Sequence, residues 1–231
     1  MKFLYVRFIF FCLLLTGLVS CNSKSSDQVE QRLIFPSYIV SYNAITENLT
    51  ASATFQENNE SGLFIRLSRK SKVTFNEIEL KKSSTEKVKG ISYMLTQHNM
   101  AQIPAKLNFV YVNDDGRSFS NHVILNTIAI NHSFVLGKQD HNIIKYIGKN
   151  IDENESLILH LHNDKNSYEL TPNPLFGSTL ELTADMLFDV EAGEYEAYFV
   201  RTYYSTNVEA MDRGGISCGK YESKKVKVTV Q

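Results

Sequence analysis

From residue 33 onward the apolar residues of this chain recur at every second position, a period that leaves little besides β-structure to fold into. Successive side chains of a strand point to opposite faces, so period two marks one buried face and one solvated face. Ala51, Ala53 and Phe55 alternate with Ser52, Thr54 and Gln56, and Leu63, Ile65 and Leu67 with Phe64, Arg66 and Ser68. Leu157, Leu159 and Leu161 alternate in the same way with Ile158, His160 and His162. Val73 and Phe75 lead through a tight turn at Asn76-Glu77 to Ile78 and Leu80. Leu107, Phe109 and Tyr111 run into Asn113-Asp114-Asp115-Gly116, and the alternation resumes at Phe119, Asn121, Val123 and Leu125. An Asp-Gly turn between two alternating runs is the strongest short-range hairpin signal. No window of a dozen residues keeps a helical stripe, and residues 97–102 have room for one helical turn at most.

Residues 1–20 obey a different rule. Lys2 and Arg7 give a positive start, and the run from Phe8 to Leu15 is apolar throughout, with Cys12 inside it. A bilayer-spanning helix needs about 20 apolar residues, so this run is too short to span and fits the apolar region of an export signal. It ends in Leu18, Val19, Ser20 and Cys21, which resembles the lipobox of bacterial lipoproteins. The resemblance implies a cleaved signal peptide over 1–20 and diacylglycerol attached to the Cys21 thiol. With several acyl chains on one cysteine, anchoring is effectively permanent. The implied address is the cell envelope, lipid-anchored, at the outer membrane. Lipoproteins of the Bacteroidota type that are displayed on the cell surface carry an acidic cluster behind the cysteine. Here Asp27 and Glu30 are scattered, so the periplasmic and surface-facing readings both stay open.

Cleavage after residue 20 of the 231 leaves 211 residues, enough for one large domain or two ordinary ones. It also removes Lys2 and Arg7, so 22 basic residues face 25 acidic ones, a net charge of −3. That balance offers no basic excess to a nucleic acid. Of the three cysteines, Cys12 leaves with the signal, Cys21 carries lipid and Cys218 stands alone, so stability has to come from hydrophobic cores without a disulfide. Residues 21–32, polar and without period, read as the lipidated cysteine and a flexible tether.

Two units of about a hundred residues follow, 33–128 and 129–231. In the second, the stretch from Asp189 to Ala197 sets Glu191, Gly193 and Tyr195 in the pattern acidic-x-Gly-x-Tyr. This resembles the corner before strand F of immunoglobulin-like domains, where a tyrosine hydroxyl bonds back to upstream backbone. Ala197 occupies the place of the second core cysteine, and the chain has no tryptophan. The resemblance implies a strand over 194–203, a final strand over 221–230, and structural roles for Gly193 and Tyr195. The expected fold is all-β, two tandem Ig-like β-sandwiches behind a signal peptide and short tether.

Candidate chemistry is sparse. His160 and His162 share one face of a strand with Asp164 nearby, a geometry zinc could use, but a third ligand is not supplied. The solvent face of a strand accounts for them better. Residues 214–220 match GxxxxGK, yet Tyr221 replaces the magnesium-holding Ser or Thr and a strand pattern follows where a phosphate loop needs a helix. Cys218 has Lys220 near it in sequence and no histidine partner for nucleophilic work. Gly-x-Ser-x-Gly is absent, and the carboxylates Glu155, Glu169 and Glu181 read as outer-face or turn residues. No enzyme and no cofactor are expected.

What remains is the segment 205–220 between the last two strands, long and glycine-rich. Tyr203, Tyr204, Arg213, Gly214 and Gly215 are its candidate partner-binding residues, because Tyr and Arg dominate interface energies. The expected role is non-enzymatic: binding, adhesion or structure through an unidentified envelope protein. The alternative is a carbohydrate-binding lipoprotein of a glycan-uptake system.

Overall fold

A computed structural model describes residues 23–83, 90–130, 132–208 and 211–231. The expected signal peptide and Cys21 lie outside the described residues. The fold is all-β: the described residues form three sheets, one α-helical turn, Ala184–Leu187, and two short 3-10 turns, Ser26–Gln28 and Gln31–Leu33.

The first unit is built on β2 (Ile34–Asn43) and β3 (Asn48–Glu57), a ten-residue hairpin pair in full register from Ile34–Glu57 to Asn43–Asn48. β3 carries β4 (Phe64–Arg66) and β8 (Ser92–Gln97) on its other side, and β7 (Lys81–Lys82) pairs with β8. Across the core lie β5 (Lys72–Phe75), β6 (Ile78–Glu79), β9 (Asn108–Val112) and β10 (Ser118–His122), in the order β10-β9-β5-β6. The β5–β6 turn falls at Asn76 and Glu77, both at positive φ (45° and 71°), and the β9–β10 turn at the Asp-Gly site. Aromatic rings join the layers: Tyr38 stacks on Phe109 at 4.8 Å, and Phe55 meets Tyr111 at 4.8 Å. Rings of this size, fully buried, make the largest single contributions to such a core.

In the second unit β13 (Glu155–His162) pairs with β14 (Ser167–Leu170) and with the 13-residue β17 (Gly193–Ser205). β12 (Asn142–Lys145), β15 (Asn173–Leu175) and β16 (Thr179–Leu182) form a three-stranded layer over them. Leu157, Leu159, Leu161, Phe199, Leu180 and Leu182 are all buried in the shared hydrophobic cluster.

Three expectations are corrected. The tether is not free from Ser23 onward. β1 (Ser23–Ser25) runs parallel to β4, Lys24 pairs with Glu57 at 2.8 Å, and Ser26 is buried. The final strand is not one strand over 221–230 but two, β18 (Ile216–Glu222) and β19 (Val226–Val230). The loop expected over 205–220 is therefore loop only over 206–215.

The split of the last strand ties the halves together. β17 is long enough to pair with β19 through Gly193–Ala197 and with β18 through Val200–Ser205. β18 then pairs in parallel with β2 of the first unit over seven residues, Ile216–Ser37 to Glu222–Asn43. β19 stays in the second unit beside β11 (Phe134–Leu136). One sheet thus runs β1-β4-β3-β2-β18-β17-β13-β14 through both units. The connection between the units crosses β18 closely. Ser217 Oγ donates to His122 O at 3.1 Å, and a Cβ on Gly219 would fall 1.9 Å from Ile124 O, which only glycine permits.

Candidate functional site

The polar groups of highest potential chemistry meet at the waist. Glu155 is in phase with Leu157, Leu159 and Leu161 on β13, and Arg201 with Tyr195, Ala197 and Phe199 on β17, so both point inward. Glu155 is thus not the outer-face or turn carboxylate expected; its side chain is fully buried, as is that of Arg201. Arg201 Nε and Nη2 donate to Glu155 Oε1 and Oε2 at 2.8 and 2.6 Å. Its remaining donors reach Thr127 O (3.1 Å), Lys149 O (2.8 Å) and Asn150 O (2.9 Å). All five N–H groups of the guanidinium are used, which leaves none for a ligand. Burial pushes the Glu155 carboxyl up. Hydrogen bonds from Arg201, Asn126 and the Asp152 backbone outweigh burial and hold it below the ordinary carboxylate range. The cluster fastens the inter-unit connection at Thr127. Sequence reasoning missed it, although the strand phase of the two residues carried the signal.

The predicted site residues are spread rather than gathered. Tyr203 and Tyr204 lie on β17 and, as neighbours on a strand, point to opposite faces: Tyr203 is half-buried opposite Gly219, and Tyr204 is exposed opposite Cys218. They do not form one platform. Gly215 is buried, and a Cβ there would sit 2.6 Å from Pro36 O, so this glycine serves close packing rather than an adaptable tip. Gly214 takes a turn conformation at φ 72°. Val208 and Met211 are buried, and Met211 Sδ lies 3.5 Å from Gln31 Nε2. Only Thr206, Asn207, Asp212 and Arg213 of the described loop residues are fully exposed. The loop is folded down on residues 31–36, at the same end of the sheet as Ser23.

His160 and His162 do share the outer face of β13. His160 lies flat on Tyr198 (4.7 Å, 6° between planes), with Nδ1 3.5 Å from Glu169 Oε1. His162 is exposed and, with Asp164, Glu194, Glu196, Lys225 and Lys227, lines a shallow polar groove at the opposite end from the loop. Lys225 pairs with Glu196 across it at 2.6 Å. Among the described residues no three His, Cys, Asp or Glu side chains gather to hold a metal ion. Residues 214–220 feed β18, a strand, so the phosphate-loop match has no helix N-terminus behind it. Cys218 is half-buried, and burial pushes its thiol up, partly opposed by Lys220.

The corner has the geometry its resemblance implies. Tyr195 is buried, and its hydroxyl donates to Glu191 O at 2.8 Å; its ring meets Tyr168 edge-on at 5.9 Å. Gly193 opens β17 opposite Val230.

No protein-family model matches the chain, and no curated protein does. Among solved structures it is similar to an I-band fragment of titin, at 14% identity and a TM-score of 0.22, over 84% of this chain and 66% of that one. It is also similar to a Bacteroides ovatus protein, SGBP-B of a mixed-linkage glucan utilization locus, in complex with a mixed-linkage heptasaccharide. There the identity is 9% and the TM-score 0.19, over 86% of this chain and 60% of that one. The chain thus spans about two thirds and three fifths of their lengths. Among the described residues no helix is long and apolar enough to cross a membrane.

Proposed function

We propose that the protein is a lipid-anchored, non-enzymatic binding module of the bacterial cell envelope, held at Cys21 and meeting a protein partner with the far end of its second unit. The observation that carries this reading is the shared strand. β18 pairs with β2 of the first unit and with β17 of the second, so one continuous sheet joins the two units. The chain leads in at one end, beside the 206–215 loop. The turns at 137–140, 163–166 and 188–193 gather at the other, where Lys138 N donates to Gln231 O and Asn163 Nδ2 to Glu194 O. β17 alone, at about 3.3 Å per residue, separates the two ends by roughly 40 Å. A stiff body of that length holds its far end at a fixed height above an anchor, which suits recognition at a distance.

Photo-crosslinkers at Asp164, on the far end, and at Arg213, in the loop, test the reading in intact cells. Asp164 should capture an envelope protein and Arg213 should not. Capture at Arg213 alone returns the binding role to Tyr203, Tyr204, Arg213, Gly214 and Gly215. Cys21→Ser should abolish lipid labelling; retention in membranes through salt washing would refute the anchor.

One feature favours the carbohydrate-binding alternative. Phe176, at the tip of the β15–β16 hairpin, is 95% exposed, a ring free to stack on a sugar. A glycan array with the wild type and Phe176→Ala decides between the two readings.

A further inference from the structure

The residues that follow Cys21 are fixed to the protein almost at once. Ser25 sits opposite Arg66 in the parallel β1–β4 pair. Ser26 Oγ donates to Asp114 Oδ2 at 2.7 Å, accepts from Ser68 N at 2.9 Å and lies 2.9 Å from Ser71 Oγ. Ser68 Oγ donates to the other Asp114 oxygen. From Ser23 back to Cys21 the chain reaches about 7 Å at most. A lipid on Cys21 therefore has no spacer, and the surface around β1 and β4 lies at headgroup level.

That surface is rich in cations. Arg66, Arg69, Lys70, Lys72, Lys81 and Lys82 are all exposed, and none of them forms an ion pair among the described residues. Over residues 66–82 these six cations face Glu77 and Glu79, and Asp27, Asp114 and Asp115 line a groove with Arg66, Arg69 and Lys70, so the face as a whole stands at +1 and its positive excess lies toward Lys72, Lys81 and Lys82. Arg69, Lys72, Lys81 and Lys82 line one groove, with Glu79 its acid.

We propose that this face, between β4 and the Lys81–Lys82 strand, is a membrane-contact surface that takes the anionic phosphate headgroups of the bilayer holding the lipid. The inference rests on the lipid-anchored reading and adds to it an orientation. Attraction between basic side chains and an anionic surface decays within a Debye length, about 8–10 Å at physiological salt. The short reach from Cys21 places Arg66, Arg69 and Lys70 inside that range. Acyl chains already secure attachment, so the patch acts on pose. It draws one edge of the first unit onto the membrane and aims the long axis, and with it the far end, in a set direction.

The test uses the lipidated full-length protein in two sets of vesicles, one with about 30% phosphatidylglycerol in phosphatidylcholine and one of phosphatidylcholine alone. An impermeant amine reagent followed by mass spectrometry reads each lysine. In the anionic vesicles Lys70, Lys72, Lys81 and Lys82 should label at least about fivefold more slowly than in the neutral ones, while Lys225 and Lys227 are unchanged. About 0.5 M salt, or the triple variant Arg69→Glu, Lys70→Glu, Lys72→Glu, should abolish the protection. Equal labelling in both vesicles overturns the proposal. So does protection lost to millimolar inorganic phosphate at constant ionic strength, which would mark a small-anion site. Failure of the anchor itself reads out separately, as protein that no longer floats with either vesicle.

Discussion

Arg201→Met removes five hydrogen bonds in one step. It leaves the Glu155 carboxylate, whose side chain has no solvent exposure, with Asn126 and the Asp152 amide as its remaining partners. Breaking a buried pair from one side costs about 3–5 kcal/mol, because the surviving charge is uncompensated. The carbonyls of Thr127, Lys149 and Asn150 lose their donor as well, at about 1 kcal/mol each where water does not reach them. The expected loss is therefore about 3–8 kcal/mol, the upper end if all three carbonyls stay dry, against a total stability of about 5–15 kcal/mol for a folded protein. Urea unfolding followed by circular dichroism measures it. Arg201→Met with Glu155→Leu should recover most of the loss, since no buried charge is left. Should Arg201→Met fail to fold, Arg201→Lys keeps the charge without the fork and should lose about 1–3 kcal/mol. The loss should also depend on pH. In the wild type the Glu155 carboxyl is held down, so its contribution is present above the unfolded carboxylate range and is lost as pH falls through the folded value. In Arg201→Met burial dominates and raises that carboxyl, which then favours the folded state at low pH. The gap between variant and wild type should narrow from pH 7 to pH 4. A loss below about 1 kcal/mol, or a double variant no more stable than the single, would show that the cluster does not hold the waist.

Tyr195→Phe removes the bond to Glu191 O and should cost about 0.5–1.5 kcal/mol, whereas Tyr195→Ala should cost about 3–5 kcal/mol in the same assay. Gly219→Ala drives a methyl into the Ile124 carbonyl and should cost about 3 kcal/mol or more; a neutral variant would mean the connection does not lie on β18. Met211→Ala should cost about 2 kcal/mol, and no loss would mean the 206–215 loop hangs free. Cys218, with its thiol pushed up by burial, should react with a disulfide reagent at pH 8 more slowly than an unfolded-chain cysteine, and urea should abolish the difference.

The parts of this fold that announce themselves are those whose partners are close in sequence. Ala51, Ala53 and Phe55, the Asp-Gly hairpin and the Leu157–Leu161 alternation each carry their own inside and outside. Tyr195 is legible for the same reason, since its bond spans four residues. β18 is hidden because its inward residues are Ser217, Gly219 and Tyr221. The connection at 122–125 lies directly on the first two, so the face that should read apolar is small and polar instead. Ser23–Gln28 reads as tether because its docking is polar. Ser26 is buried on hydroxyls and on a carboxylate 88 residues away, and no hydrophobic period marks that kind of contact. Arg201 and Glu155 were visible in phase but not as a pair, since their meeting depends on the β13–β17 register, in which Leu157 stands opposite Arg201.

The pairing of β18 with β2 also sets a timetable. Ile216 meets Ser37, residues 179 apart in the chain, so the first unit to be made is among the last to be finished. Until the final strands arrive, β2 presents a bare edge seven residues long, an open template for another chain. Closing so distant a contact is slow, because the entropy of the intervening loop is lost before the contact rewards it. A chain made from its N-terminus therefore carries an incomplete first half until β18 is added. Truncation before Ile216, which removes β18, damages the N-terminal unit, far from the site of the lesion in sequence, and leaves a product prone to pair with its own copies.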